Sequence, residues 1–424
     1  MIATPLADLW PLSAVSAAVH DHAPPLPFGN NLAPPPIRDA SGRTWDDPGR
    51  AREARALGNV ARAWRAADAA IAAVGLAAVI LTGAHEALRD ALDPTTLGAP
   101  PRLAFAVHAA AIIGALALGG AVAGMPAAWF GGHRLLKAYG LGTQTARGWL
   151  RDYVVAAGLG TCFSIAVAFV VAALCFDDPQ RWWAWAGAVG VVGTFIVAYI
   201  APTLILPLFY KESPMPAGEV SVALLDLAAR AGATIHGCVV IDQSRRSRAA
   251  NAAVVGLGRT RRIVVTDTLL SGGYATSEIA AILAHELGHH VRHDVPWAVA
   301  IEGAIFSACL FAAESVRSAI AGVTGLQGPD DLAGLPVVAL AAGACLMATM
   351  PLRAGISRWR EARADAFGIA LTGDGAAWRS TLCRLAVQNF AEVDPHPIVE
   401  WATYSHPSTR HRLAAAMEAR AGHG

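Results

Sequence analysis

Six long apolar stretches dominate this chain, at roughly residues 66–84, 103–130, 153–175, 182–206, 295–317 and 334–352. A hydrocarbon layer about 30 Å thick takes about 20 predominantly apolar residues in a helix, and each stretch meets or approaches that length. A helix closes its backbone hydrogen bonds within one segment, which lipid demands. The expected fold is therefore an α-helical polytopic membrane protein of about six spans. Composition agrees: 54% of the 424 residues are hydrophobic and 15% are charged, against about 25% charged in a soluble domain. The formal net charge of +1 gives no hint of a nucleic-acid partner, and none is expected. The six cysteines form no CxxC pair, and four lie in apolar runs. They read as small buried residues rather than disulfides or metal ligands.

The 33 Lys and Arg residues suggest an orientation. Residues 1–65, 131–151, 210–294 and 353–424 hold 29 of them, and the three alternate segments hold four. The positive-inside rule then puts both termini and both long polar segments in the cytoplasm. Five segments follow: a Pro- and Arg-rich leader at 1–65, without the basic start of a signal peptide; four spans within 66–209; a polar segment at 210–294; two spans within 295–352; and a helical segment at 353–424.

The chemistry lies in the polar segments. Residues 281–293 read AILAHELGHHVRH, with His285, Glu286 and His289 in the pattern HExxH. Ile279, Ile282, Leu283 and Leu287 give helical spacing, so His285 and His289 share one face, one turn apart. Two imidazoles so placed reach one zinc at about 2.0–2.1 Å, and Glu286 is placed to take a proton from the attacking water. In a chain of this composition the pattern arises by chance in roughly one sequence in 80. Ala284 and Gly288 leave room for a close neighbour. A metzincin third ligand is excluded, because Arg292 and Val295 occupy the positions it needs. His290 points about 100° away, and His293, one turn on, suits the surface or the surroundings of the site better than a ligand role.

Glu361 is the better third ligand. It lies in SRWREARADAFG (357–368), just past the sixth apolar stretch, with Asp365 one turn on. The first carboxylate suits the metal and the second suits the free N–H of a ligating imidazole. Between the fourth span and the HExxH helix, Cys238–Ile241, Ala252–Val255 and Ile263–Val265 read as short strands. An edge of such a sheet accepts a peptide by backbone hydrogen bonding. Asn251 is placed either to hold that peptide or to form a turn. The C-terminal stretch carries Asn389, His396, Tyr404, His406, Pro407 and Arg412. His406 or Arg412 brought to the metal would stabilise an oxyanion; both also suit a structural role.

Taken together these residues resemble the type I CAAX prenyl proteases, membrane zinc metallopeptidases of the sterile-24 type. The likeness runs through YGLGTQTARGWLRDYV (139–154), APTLILPLFYKESP (201–214), SRRSRAANAAVVGLGRTRRIVVTDTLL (244–270), the HExxH and SRWREARADAFG segments, and DPHPIVEWATYSHPSTRHRL (394–413). It covers roughly two thirds of the chain, and the motifs in this order are far more specific than HExxH alone. The resemblance implies a ring of helices around a chamber, with a cytoplasmic α+β catalytic domain of gluzincin type. It implies one zinc per chain on His285, His289 and Glu361, with Glu286 as the base and Asp365 behind a ligand. Asn251 would lie beside the cleft, and His406 and Arg412 near the active site. A chamber facing water would accommodate Glu302 within the fifth span. The resemblance also implies a peptide or protein substrate, lipidated or bound at the bilayer. The setting expected is a bacterial inner membrane with the site on the cytoplasmic face. The family's eukaryotic members have seven spans, where six are read here. Three rival readings are an HtpX-like quality-control protease of the same chemistry, a transporter and an inactive scaffold. The last two have no need of an intact HExxH with Glu361.

Overall fold

The structure is a computed structural model describing residues 42–94, 98–328 and 330–421, with side chains to residue 416. Residues 1–41 of the expected leader lie outside the described residues. Asp47 accepts a hydrogen bond from the Arg50 amide at 2.8 Å and Pro48 takes the first helical position, so helix α1 begins at Pro48 and runs to Leu81. At 34 residues it is about 50 Å long. It carries the Arg-rich stretch before residue 66 and the first apolar stretch in one continuous rod.

Helices α2 (Ala84–Ala91), α3 (Pro101–Ala128), α4 (Leu135–Ala138), α5 (Ala146–Cys175), α6 (Trp182–Ile200) and α7 (Leu206–Phe209) complete the first half. Wide π-helical turns at Trp129–Arg134 and Ala201–Ile205 join α3 to α4 and α6 to α7. Next come strand β1 (Glu212–Pro214), helix α8 (Glu219–Arg230), strands β2 (Cys238–Ile241), β3 (Ala252–Val255) and β4 (Arg262–Thr266), and helices α9 (Asp267–Ser271) and α10 (Thr276–Val291). The chain ends with α11 (Asp294–Thr324), α12 (Leu335–Ala348), α13 (Met350–Thr372), α14 (Gly375–Gln388), α15 (Pro397–Thr403) and α16 (Thr409–Ala421).

Among the described residues, five helical segments are long and apolar enough to cross a membrane: Pro48–Leu81, Pro101–Ala138, Ala146–Cys175, Pro179–Phe209 and Asp294–Ala319. A sixth arises if Leu332–Ala348 and Met350–Thr372, bent by 48°, form one span. Pro351 explains the bend, because it has no amide proton for the preceding turn. Within the fifth span Glu302 meets Arg353, with Arg353 Nη2 2.7 Å from its carboxylate. The acid at that depth has a basic partner, as an intramembrane charge requires.

The sheet has strand order β1-β2-β4-β3, with β2 and β4 parallel and the two edge strands antiparallel to their neighbours. β2, β3 and β4 coincide with the three apolar runs, β4 being one residue longer at each end. β1 was not anticipated, since three residues around a proline carry no apolar alternation. One face of the sheet packs Ala252, Val254, Ile263 and Val265 against Leu224 and Leu227 of α8 and Ile279, Leu283 and Leu287 of α10. The other face packs Ala253, Val255 and Val264 against Leu206, at the end of the fourth span. Burial on both faces is why these strands read as unbroken apolar runs, and it holds the sheet between that span and the HExxH helix.

Candidate metal centre

Helix α10 carries His285, Glu286 and His289. Its first turn is closed by Glu278, whose carboxylate accepts from the Ala275 amide at 2.8 Å. Helix α13 lies across it. A Cβ added to Gly288 would come within 3.0 Å of Phe367 and 3.2 Å of the Ala364 carbonyl. One added to Gly368 would come within 3.0 Å of the His285 amide nitrogen. The two glycines let the helices approach closely enough for their side chains to share one point. The close neighbour for which Gly288 makes room is the Glu361 helix.

At that point His285 Nε2 and His289 Nε2 are 3.1 Å apart. Glu361 places one carboxylate oxygen 3.2 Å from His285 Nε2 and the other 3.5 Å from His289 Nε2. The Glu361 side chain is fully buried, yet neither oxygen receives a well-formed hydrogen bond from any described residue. Four ligands at about 2.0–2.1 Å around a tetrahedral ion lie about 3.3 Å from one another, so the three donors have the separations such an ion requires. Among the described residues this is the one His, Cys, Asp and Glu group with metal-binding geometry. The pocket also favours positive charge. Burial opposes ionisation of His285, but the carboxylates of Asp365 and Glu361 outweigh it and raise the imidazole to about 10.

Each histidine is oriented from behind. His285 Nδ1 lies 2.7 Å from Asp365, and its ring stacks on Trp378 with centroids 5.6 Å apart. His289 Nδ1 lies 3.3 Å from Asp294. A carboxylate behind a ligating imidazole fixes its tautomer and raises its basicity. Asp294 was not among the residues anticipated. The backbone turn at His293, with φ 54°, brings it back toward the helix, and an acid five residues past the second histidine was the available signal. His293 serves as that turn.

Arg412, on α16, donates to both Asp365 oxygens, from Nε at 2.8 Å and Nη2 at 2.7 Å. Two of its donors are thereby engaged by a carboxylate in a fork geometry. His406 lies on the open side, its Nε2 3.3 Å from Glu361 and its side chain 47% exposed. Asn251 directly precedes edge strand β3 and is exposed, its backbone paired with Thr266. Asn389 grips the preceding residue, accepting from the Ala250 amide at 2.8 Å and donating to its carbonyl at 3.1 Å.

The sequence pattern described as peptidase family M48 matches residues 214–420, and that of the CAAX prenyl protease N-terminal region, five membrane helices, matches residues 64–211. The chain belongs to the M48 peptidases of the CAAX prenyl protease type. It is 29% identical over 296 residues to the uncharacterized metalloprotease YhfN of Bacillus subtilis, covering 69% of each chain. It is 28% identical to CAAX prenyl protease 1 of Saccharomyces cerevisiae, over 69% of this chain and 68% of that one. With the probable CAAX prenyl protease 1 of Schizosaccharomyces pombe the identity is 31%, over 65% and 59% of the two chains. The crystal structure of Ste24p from S. mikatae superposes with a TM-score of 0.72 at 21% identity, covering 87% of this chain and 89% of that one, so the fold is shared. This M48 chain is thus an integral-membrane metallopeptidase. Its matched N-terminal region contains four membrane-length helices among the described residues, one fewer than the description of that region.

Proposed function

We propose that this M48 chain is a zinc endopeptidase that cleaves lipidated or membrane-bound peptides at the cytoplasmic face of a bacterial inner membrane. The observation that carries the reading is the buried triangle of His285, His289 and Glu361 donors, 3.1 to 3.5 Å on a side, backed by Asp365 and Asp294. These three residues would hold one zinc ion. When bound, zinc lowers the pKa of water toward about 7 and polarises a carbonyl. Glu286 accepts a proton from the attacking water and returns it to the leaving amine nitrogen. Burial raises its carboxyl above the ordinary glutamate range, with the charges of His285 and His289 opposing the shift, which suits a group that must both take and give a proton. His406, on the open side, donates to the developing oxyanion. Arg412 acts through Asp365, holding the carboxylate that orients His285. The exposed Asn251 side chain, at the start of β3, holds the substrate backbone beside the edge strand.

Prenylated substrates follow from the names of the yeast relatives, and the basic-residue bias supports the cytoplasmic side. The purified chain should bind one zinc and hydrolyse a peptide, with Glu286→Gln slowing hydrolysis by about 100- to 10,000-fold while zinc stays bound. Wild-type rates in that variant would refute the assignment. Prenylated and unmodified versions of one peptide, assayed side by side, test the lipid requirement: equal kcat/KM would remove it.

A further inference from the structure

The C-terminal segment carries an apolar surface that the peptidase chemistry does not use. Trp359 on α13 is 56% exposed, and Ile398 and Trp401 on α15 are 67% and 59% exposed. Arg358 donates to the carbonyls of Glu400, Trp401 and Tyr404 at 2.8, 3.1 and 2.8 Å, fastening the end of α15 to α13. A shallow groove between them is lined by Leu352, Ile356, Trp359 and Trp401. This surface continues directly from the lipid-facing end of the bent sixth span, where Met347, Met350 and Leu352 are 56%, 40% and 59% exposed.

Its height can be read from α11. Arg353 pairs with Glu302, and Arg360 donates to the Asp294 carbonyl at 3.0 Å, so Trp359 is level with the first turn of α11. Trp297, in that turn, is itself 57% exposed. At the other end of the span, Trp182 donates to Glu314 at 2.9 Å and the Trp183 ring lies 5.1 Å from Phe311. From residue 297 to residue 314 a helix rises about 25 Å, close to the thickness of a hydrocarbon core. Tryptophans at both ends of such an interval mark the two membrane interfaces. Arg363 stacks over the Trp359 ring at 4.4 Å, a cation of the kind phospholipid headgroups attract.

We propose that α15 and the adjoining face of α13 rest in the interfacial layer of the bilayer, with Trp359, Ile398 and Trp401 in contact with phospholipid. The interface thus extends beyond the spans onto the C-terminal segment, and the loop carrying His406, five residues past Trp401, lies at the membrane surface.

It is tested with the full chain carrying photoreactive benzoylphenylalanine in place of Trp401 and, separately, of Ile398. Each protein is reconstituted in phosphatidylethanolamine–phosphatidylglycerol vesicles containing radiolabelled phosphatidylethanolamine and irradiated. Replacement of Val192, exposed on α6, serves as the lipid-facing reference. Replacement of Arg379, on α14 beyond the far end of α13, serves as the water-facing one. Phospholipid adducts at 398 and 401, as at 192, with none at 379, are expected. Any of three results would overturn the proposal: adducts at 192 but not at 398 and 401, cross-links only to a second copy of the chain, or adducts that form only with an added lipidated peptide.

Discussion

Asp365 sits between His285 and Arg412, 2.7 Å from each, and its charge is what makes the arrangement coherent. It accepts from the Arg412 guanidinium on one side and meets the His285 imidazole on the other. In Asp365→Asn the geometry is retained and the charge lost, so zinc affinity should fall by about 10- to 100-fold, read by chelator competition. Unchanged affinity would reduce Asp365 to a helix-packing residue. Glu286 makes a second prediction at this scale. Its carboxyl is raised by burial, and a base must be ionised to act. The rate should therefore fall as pH drops through that raised value, with the acid limb of kcat/KM centred above the ordinary glutamate range. Zinc content measured across the same range separates loss of the base from loss of the metal, and an acid limb at ordinary carboxylate pH would contradict the role.

Helix α1 is more than a membrane anchor. Its turns before the first apolar stretch lie against the C-terminal segment: Arg50 donates to the Ala386 carbonyl, with its guanidinium 5.3 Å over the Phe390 ring. Arg55 donates to the Asp394 carbonyl at 2.8 Å. Arg62 donates to Glu392 at 2.9 Å, and Tyr404 donates to the same carboxylate at 2.8 Å. Tyr404 stands two residues before His406, so α1 braces the loop that presents this histidine. Arg62→Ala leaves a largely buried carboxylate short of one partner and should cost about 1–3 kcal/mol of stability, seen as a lower melting temperature. It should also lower kcat/KM at unchanged zinc content. Equal melting temperatures would mean that the contact is not maintained in solution. The basic residues of the leader were visible in the sequence as a charge bias. Their contacts were not, because their acceptors lie more than 300 residues away. The strands were visible because both sheet faces are dry, whereas β1 was too short to show a period.

In the whole molecule the candidate metal site is assembled across a membrane hairpin. His285 and His289 precede the fifth span, Glu361 follows the bend near the end of the sixth apolar stretch, and ties between Arg353 and Glu302 and from Arg360 to the Asp294 carbonyl keep the two returning helices level. The two halves of the site must therefore lie on the same side of the bilayer. At the opposite end Arg317 donates to Glu314 and to the Gly328 carbonyl, closing the connection between α11 and α12. A reporter active only outside the cytoplasm, fused within residues 325–331, should be active in bacterial cells, and one fused after residue 421 should be silent. The reverse pattern would invert the proposed orientation.

The sequence alone determined the features that local periodicity encodes: apolar runs long enough to span lipid, and a helix with two histidines and a glutamate at metal-binding spacing. It also marked Glu361 and Asp365 as a carboxylate pair one turn apart. Only the tertiary structure decided what those groups meet: Asp294 returning through the turn at His293, Arg412 committed to Asp365, Gly288 and Gly368 admitting the helix crossing, and α1 holding the His406 loop. Each of these joins residues separated by a change of chain direction or by a long loop. Such contacts leave no period in either partner's own sequence, and only the packing and polar pairing of the folded chain bring them together.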